Sequence, residues 1–278
     1  MTACSTSLRP YRSVFTMRFM LMLQYRAAAV AGFGTQCWWG FIKVMVFAAF
    51  FHRASARQPL SLPQVVSYIW LGQAFLTLMP WWGDPEITEM VRTGNVSYER
   101  LRPLDTYFFW YARATAWTTA RMTPRAVLMS VFAVVVIPAL GLADWRLRMP
   151  AGPESAALFA CAMVFAILLS SAILMLVNML VVVMLTDRGP SALAAQLASF
   201  FSGIILPLPF FPDRVQRLLF LQPFAGLMDI PFRIYVGNLT GAMACWGLFN
   251  AAAWTFVLAA LGHWLMGRVM SRLQVQGG

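Results

Sequence analysis

Six stretches of this chain contain no aspartate or glutamate and, among them, one formal charge. They run approximately from Ala27 to Phe51, Pro63 to Trp82, Ala126 to Ala143, Ser155 to Leu185, Ser191 to Phe210 and Gly241 to Met266. A helix needs about 20 apolar residues to cross a bilayer, and lipid offers no water to unpaired backbone groups, so stretches of this kind must be helical. The fourth is longer than a bilayer requires and should tilt, kink or project into water. Composition agrees: 60% of the 278 residues are hydrophobic and 11% charged, against about 25% charged in a soluble domain. The sequence predicts one all-α, polytopic membrane domain over residues 1–278, with six transmembrane helices.

The net charge of +11 comes from twenty arginines and one lysine, Lys43. The arginines flank the apolar spans and form no single patch, so nucleic acid is not an expected partner and membrane lipid is. With the N-terminus inside, thirteen arginines fall on the inner side and seven on the outer, which favours N-in and C-in. A retained N-terminus is expected. Residues 8–26 place Leu8, Tyr11, Phe15, Phe19 and Met22 on one side at helical spacing with arginines at the margins, as in a helix lying in the membrane interface. The four cysteines lack metal or redox spacing and read as small buried apolar residues.

The one long polar interruption runs from Trp82 to Arg125, and residues 83–125 are expected to form a cytoplasmic loop. Its first part carries helix signals: Asp84 to cap the N-terminus, Pro85 at the first position, Glu86 at the positive end of the dipole. Arg92 and Gly94 suit the last turn and its closure. Such a helix is either a solvated connector or a docking element for a soluble partner. Residues 211–237 differ again: prolines 212, 223 and 231 cut them into pieces too short to span, so short broken helices at the outer surface are expected.

Catalytic equipment is sparse. His52 and His263 lack companions at ligand spacing, and the only lysine does not follow a glycine-rich turn, so no phosphate loop of the GxxxxGK[ST] kind exists. An ion-coupled transporter would bury carboxylates in its spans, and these spans have none. Lys43, a charge inside a span, is expected to face protein or a water-filled cavity, or else simply to snorkel or pack between helices. A lipid-modifying membrane enzyme would need clustered His, Asp or Glu at one membrane face, and a purely structural subunit is the blander alternative.

Gly203-Ile-Ile-Leu-Pro-Leu-Pro-Phe-Phe-Pro212, Gln222-Pro-Phe224 and Pro231-Phe-Arg-Ile-Tyr-Val-Gly237, with Arg92-Thr-Gly94 and Leu101-Arg-Pro-Leu104, resemble the signature of the ABC-2 type exporter permeases. The likeness is to a short bacterial branch whose ATPase is encoded separately. It implies an ABC-2 or type V exporter-like fold in a bacterial cytoplasmic membrane. It also implies pairing with a second permease, the same chain or a related one, and with two ABC ATPase subunits. ATP and magnesium would be bound by those subunits, so the chain itself would need no cofactor and no metal and would be non-catalytic. The short helix would be the coupling helix, contacting the ATPase through Asp84, Glu86, Glu89, Arg92, Gly94, Arg100 and Arg102. Gln73, Phe75, Gln196, Phe200 and Phe201 are candidates to line a translocation path. Pro207, Phe210, Phe211, Pro223 and Phe224 are candidates for an external gate. An amphipathic organic compound is the expected cargo, with a glycan or lipid-linked polymer as the alternative.

Overall fold

A computed structural model describes residues 9–23, 26–54, 58–93, 95, 104–184 and 186–272. It is all-helical, without a strand among the described residues. Among the described residues ten helices follow in order: α1 Arg9–Leu23, α2 Arg26–Arg53, α3 Leu62–Ala74, α4 Pro85–Arg92, α5 Thr106–Val131, α6 Pro153–Met184, α7 Arg188–Phe201, α8 Asp213–Leu221, α9 Asp229–Tyr235 and α10 Gly241–Arg272. Helix α5 runs on through a π-turn, Phe132–Val136, to Ala139.

Helix α6 is the axle. It is apolar on all sides, which a helix tolerates only when surrounded, and α4, α5, α7, α9 and α10 all pack on it. Among the described residues, three helices are long and apolar enough to cross a membrane: Thr106–Ala139, Pro153–Met184 and Gly241–Ser271. The first begins far upstream of Ala126. Residues 106–125, expected in the polar loop, are its opening turns, started by Asp105, whose carboxylate accepts the Phe108 N–H at 2.9 Å. The aromatic run Tyr107–Tyr111 overrides the nearby arginines by burial, with Tyr107 and Trp110 almost fully enclosed.

The second and fifth apolar stretches fold differently from simple spans. Helix α3 has 13 residues and α7 has 14, about 20 Å each at 1.5 Å per residue. Each then leaves the helix: α3 into a 3₁₀ turn at Leu76–Leu78, α7 into an irregular segment that reaches a second 3₁₀ turn at Leu208–Phe210. Irregular backbone at this depth must find partners in the protein, and it does. Lys43 Nζ donates to the Ile204 carbonyl at 2.9 Å, Tyr68 Oη to that of Gly203 at 3.2 Å, and Ser170 Oγ to that of Leu78. Lys43 thus packs between helices as a backbone cap.

Asp229 completes this knot. Fully buried, it accepts from Tyr68 Oη, whose one hydrogen it shares with the Gly203 carbonyl, and from Leu208 N–H, each at 3.0 Å, and from Arg233 Nη1 at 3.3 Å. Gly203 sits at φ +84°, and a Cβ there would collide with Tyr68 Oη. Prolines 212 and 223 precede α8 and open a 3₁₀ turn at Pro223–Gly226, and Pro231 falls in the first turn of α9. Of the cysteines, Cys161 and Cys245 are exposed on α6 and α10 and Cys37 is half-buried, so two of them face outward, contrary to the buried reading.

Candidate functional site

Helix α4 is held by a carboxylate that accepts three hydrogen bonds. Asp84 Oδ1 accepts the Glu86 N–H at 2.9 Å, capping the helix, while Oδ2 accepts from Arg113 Nε at 3.0 Å and Nη2 at 2.6 Å. Arg113 projects from α5 with a side chain only 6% exposed. The backbone is tied as well: Asp84 N–H donates to Asn178 Oδ1 of α6 at 2.9 Å and Gly83 N–H to Ser191 Oγ of α7 at 3.0 Å. A Cβ at position 83 would lie 3.2 Å from Asn178 Oδ1, so the turn into α4 is as close to α6 as a backbone allows.

The inner side of α4 is apolar. Ile87 is buried among Tyr107 and Trp110 of α5, Met175 and Met179 of α6, and Met266 and Met270 of α10. The outer side is polar and exposed, and carries Pro85, Glu86, Glu89 and Thr93. Glu86 bridges to α1, where the Arg18 guanidinium pairs with its carboxylate through both oxygens, and Arg113 Nη1 approaches it at 3.7 Å. Its carboxyl is held below the usual glutamate range, chiefly by the Arg18 hydrogen bond and against the opposing effect of partial burial. Helix α1 packs along α5, with Tyr11 and Val14 against the cluster around Ile87. One structural unit therefore joins α1 and α4 to the ends of three long helices.

Of the coupling residues expected from sequence, Asp84 is an inward tie, while Glu86, paired sideways with Arg18 of α1, and Glu89 stand on the exposed face. Gly94, Arg100 and Arg102 lie outside the described residues, as does the side chain of Arg92. Sequence reasoning missed Arg113, Asn178 and Ser191, and read Arg18 as a headgroup contact. A charge two residues after the aromatic run Tyr107–Tyr111 was the available signal for Arg113. The path candidates do not converge: Gln73 is buried, Phe75 packs on Phe159 and Phe232, and Gln196, Phe200 and Phe201 lie on the exposed face of α7. The gate candidates share one cap. Pro207 is buried, Phe210 meets Phe47, Phe50 and Phe51 of α2, and Phe211 packs on the cluster around Leu208. Phe224, after Pro223, stacks on Phe201 with ring centroids 6.4 Å apart. His263 Nε2 lies 3.0 Å from Asp105 Oδ2, but among the described residues no third histidine, cysteine or acid joins them in a metal-holding group.

A helical membrane protein with a small, tightly anchored amphipathic helix beside its main bundle has the form of a transport permease. The sequence model of ABC-2 family transporter proteins matches residues 37–277, and the chain belongs to that family. No curated protein matches it.

Proposed function

We propose that the chain is the permease subunit of an ATP-driven exporter, acting as a pair of permeases with two separate ABC ATPase subunits. The observation that carries this reading is the position and anchoring of α4. About 25 residues separate Asn178, Met266 and Arg113 from the far ends of their helices at Pro153, Gly241 and Ala139, which is about 38 Å at the α-helical rise. The hydrocarbon core is about 30 Å thick. A bilayer entered at the Pro153 end leaves α4 outside the lipid, where its exposed stripe of Pro85, Glu86, Glu89 and Thr93 is open to a soluble partner. Its rigid tie to α1, α5, α6 and α10 lets a push on α4 move the long helices.

In this reading α4 and both termini are cytoplasmic, and α2, together with α3 and α7 and their irregular continuations, completes six passages. The segment 211–237 is then external. The membrane is a bacterial cytoplasmic one. ATP and magnesium stay with the ATPase. The exposed aromatic face of α7, with Phe200 and Phe201, favours an amphipathic organic cargo.

Reconstitution tests it. In nanodiscs the chain alone should show no ATP hydrolysis, and adding its ATPase should give turnover that Glu89→Lys weakens without loss of the folded permease. Turnover by the purified permease without a partner would end the proposal.

A further inference from the structure

On the side of the molecule opposite α4, a cavity of about 360 Å³ opens between α8, α9 and α10. Arg217, Phe220 and Leu221 line it from α8, Arg233 from α9, and Met243 and Trp246 from α10. No aspartate or glutamate lines it. Its walls are fixed: Asn250 Nδ2 donates to the Phe220 carbonyl at 3.0 Å and Trp254 Nε1 to that of Leu221 at 2.6 Å, fastening the end of α8 to α10.

Arg233 is clamped in the wall, its side chain 9% exposed. Nε donates to Asn238 Oδ1 at 2.7 Å, Nη1 to Asp229 Oδ2 at 3.3 Å, and the guanidinium lies 5.9 Å from the Phe220 ring centre. Nη2 donates to none of the described residues. Asp229, which does not line the cavity, accepts from Tyr68 and the Leu208 N–H as well as from Arg233. Arg217 is exposed, with Nε 3.4 Å from the Asp213 carbonyl of its own helix. One end of the cavity thus presents two guanidiniums, that of Arg217 and that of Arg233, the latter paired on its far side with Asp229, and the other opens onto Leu221, Met243 and Trp246, each about half exposed.

We propose that this cavity holds the phosphate headgroup of an anionic phospholipid from the leaflet opposite α4, with its acyl chains running down over Met243 and Trp246. Two guanidiniums suit a phosphate diester. A basic site beside a membrane-crossing helix, with an indole at the rim, suits lipid better than a free anion. The cavity takes a headgroup and leaves the chains outside. Bridging α8 and α9 to α10, the lipid would pin the broken helices in place. This requires that α10 cross a bilayer, and is independent of any export activity.

The test is native mass spectrometry of the full chain in detergent, titrated with phosphatidylglycerol, phosphatidylcholine and inorganic phosphate. We expect saturable phosphatidylglycerol binding about 10-fold tighter than phosphatidylcholine, which has the same phosphate but brings a choline cation up to the two guanidiniums. Arg217→Gln, which disturbs no packed partner, should weaken it about 10-fold, whereas Arg53→Gln, outside the cavity, should not. Arg233→Gln should weaken it too, with melting temperature recorded to separate lost binding from lost folding. Equal affinity for the two lipids, parent-like binding by Arg217→Gln, or inorganic phosphate binding as tightly as phosphatidylglycerol would each overturn the proposal.

Discussion

Arg113 illustrates how one side chain decides whether α4 is a fixed element or a loose one. With its partner Asp84 only 15% exposed, removing the guanidinium strands a carboxylate out of water and frees the helix cap. Breaking a buried pair on one side costs roughly 3 kcal/mol, so Arg113→Met should lower the melting temperature in detergent markedly. Glu89→Lys, on the exposed face, should change stability by less than about 0.5 kcal/mol. Equal melting temperatures for the two variants would contradict the anchoring described. Glu86 adds a pH signature. Its carboxyl is depressed, so its link to Arg18 is fully present above the ordinary glutamate value of about 4.3 and is lost as pH falls through the lowered one. Spin labels at Met17 and Thr93 should report one short distance from neutral pH to about pH 5, broadening only below the ordinary value. Arg18→Gln should broaden it at every pH. Asp84, Pro85 and Glu86 were legible as a helix start because capping is local chemistry. Their partners Arg113, Asn178 and Arg18 were not, since 29, 94 and 68 residues separate them from Asp84 or Glu86 and no spacing rule reaches that far.

At the scale of elements, the two short helices α3 and α7 depend on partners that apolar composition alone does not reveal. Hydropathy registers that Pro63 to Trp82 and Ser191 to Phe210 can dissolve in lipid, but not that their helices stop at Ala74 and Phe201. The stop after α7 had visible signals in Gly203 and prolines 207 and 209. The compensating groups, Lys43, Tyr68 and Asp229, come from distant segments, and Asp229 with Arg233 showed only as an i, i+4 pair. Gly203→Val should cost at least about 2 kcal/mol, from its left-handed backbone together with the collision with Tyr68 Oη. Lys43→Met should leave the Ile204 carbonyl unpaired at a cost of about 1–3 kcal/mol. Tyr68→Phe should relieve part of the Gly203→Val penalty while forfeiting its own hydrogen bonds. A thermal-shift double-mutant cycle over these positions checks the coupling, and strict additivity of Gly203→Val with Tyr68→Phe would show that the two do not meet as described.

For the whole molecule, the proposed function is mechanical: three long helices would carry α4 beyond the lipid, to where an ATPase would take hold. Trp246 and α8 lie at the far end of the same helices and should meet lipid or the opposite aqueous face. Photo-crosslinking in cells tests this most directly, with p-benzoylphenylalanine replacing Glu89 in one strain and Trp246 in another. The account predicts an adduct between position 89 and a subunit whose peptides include an ATP-binding phosphate loop, and none from position 246. An ATPase adduct from position 246 but not from position 89 would contradict it.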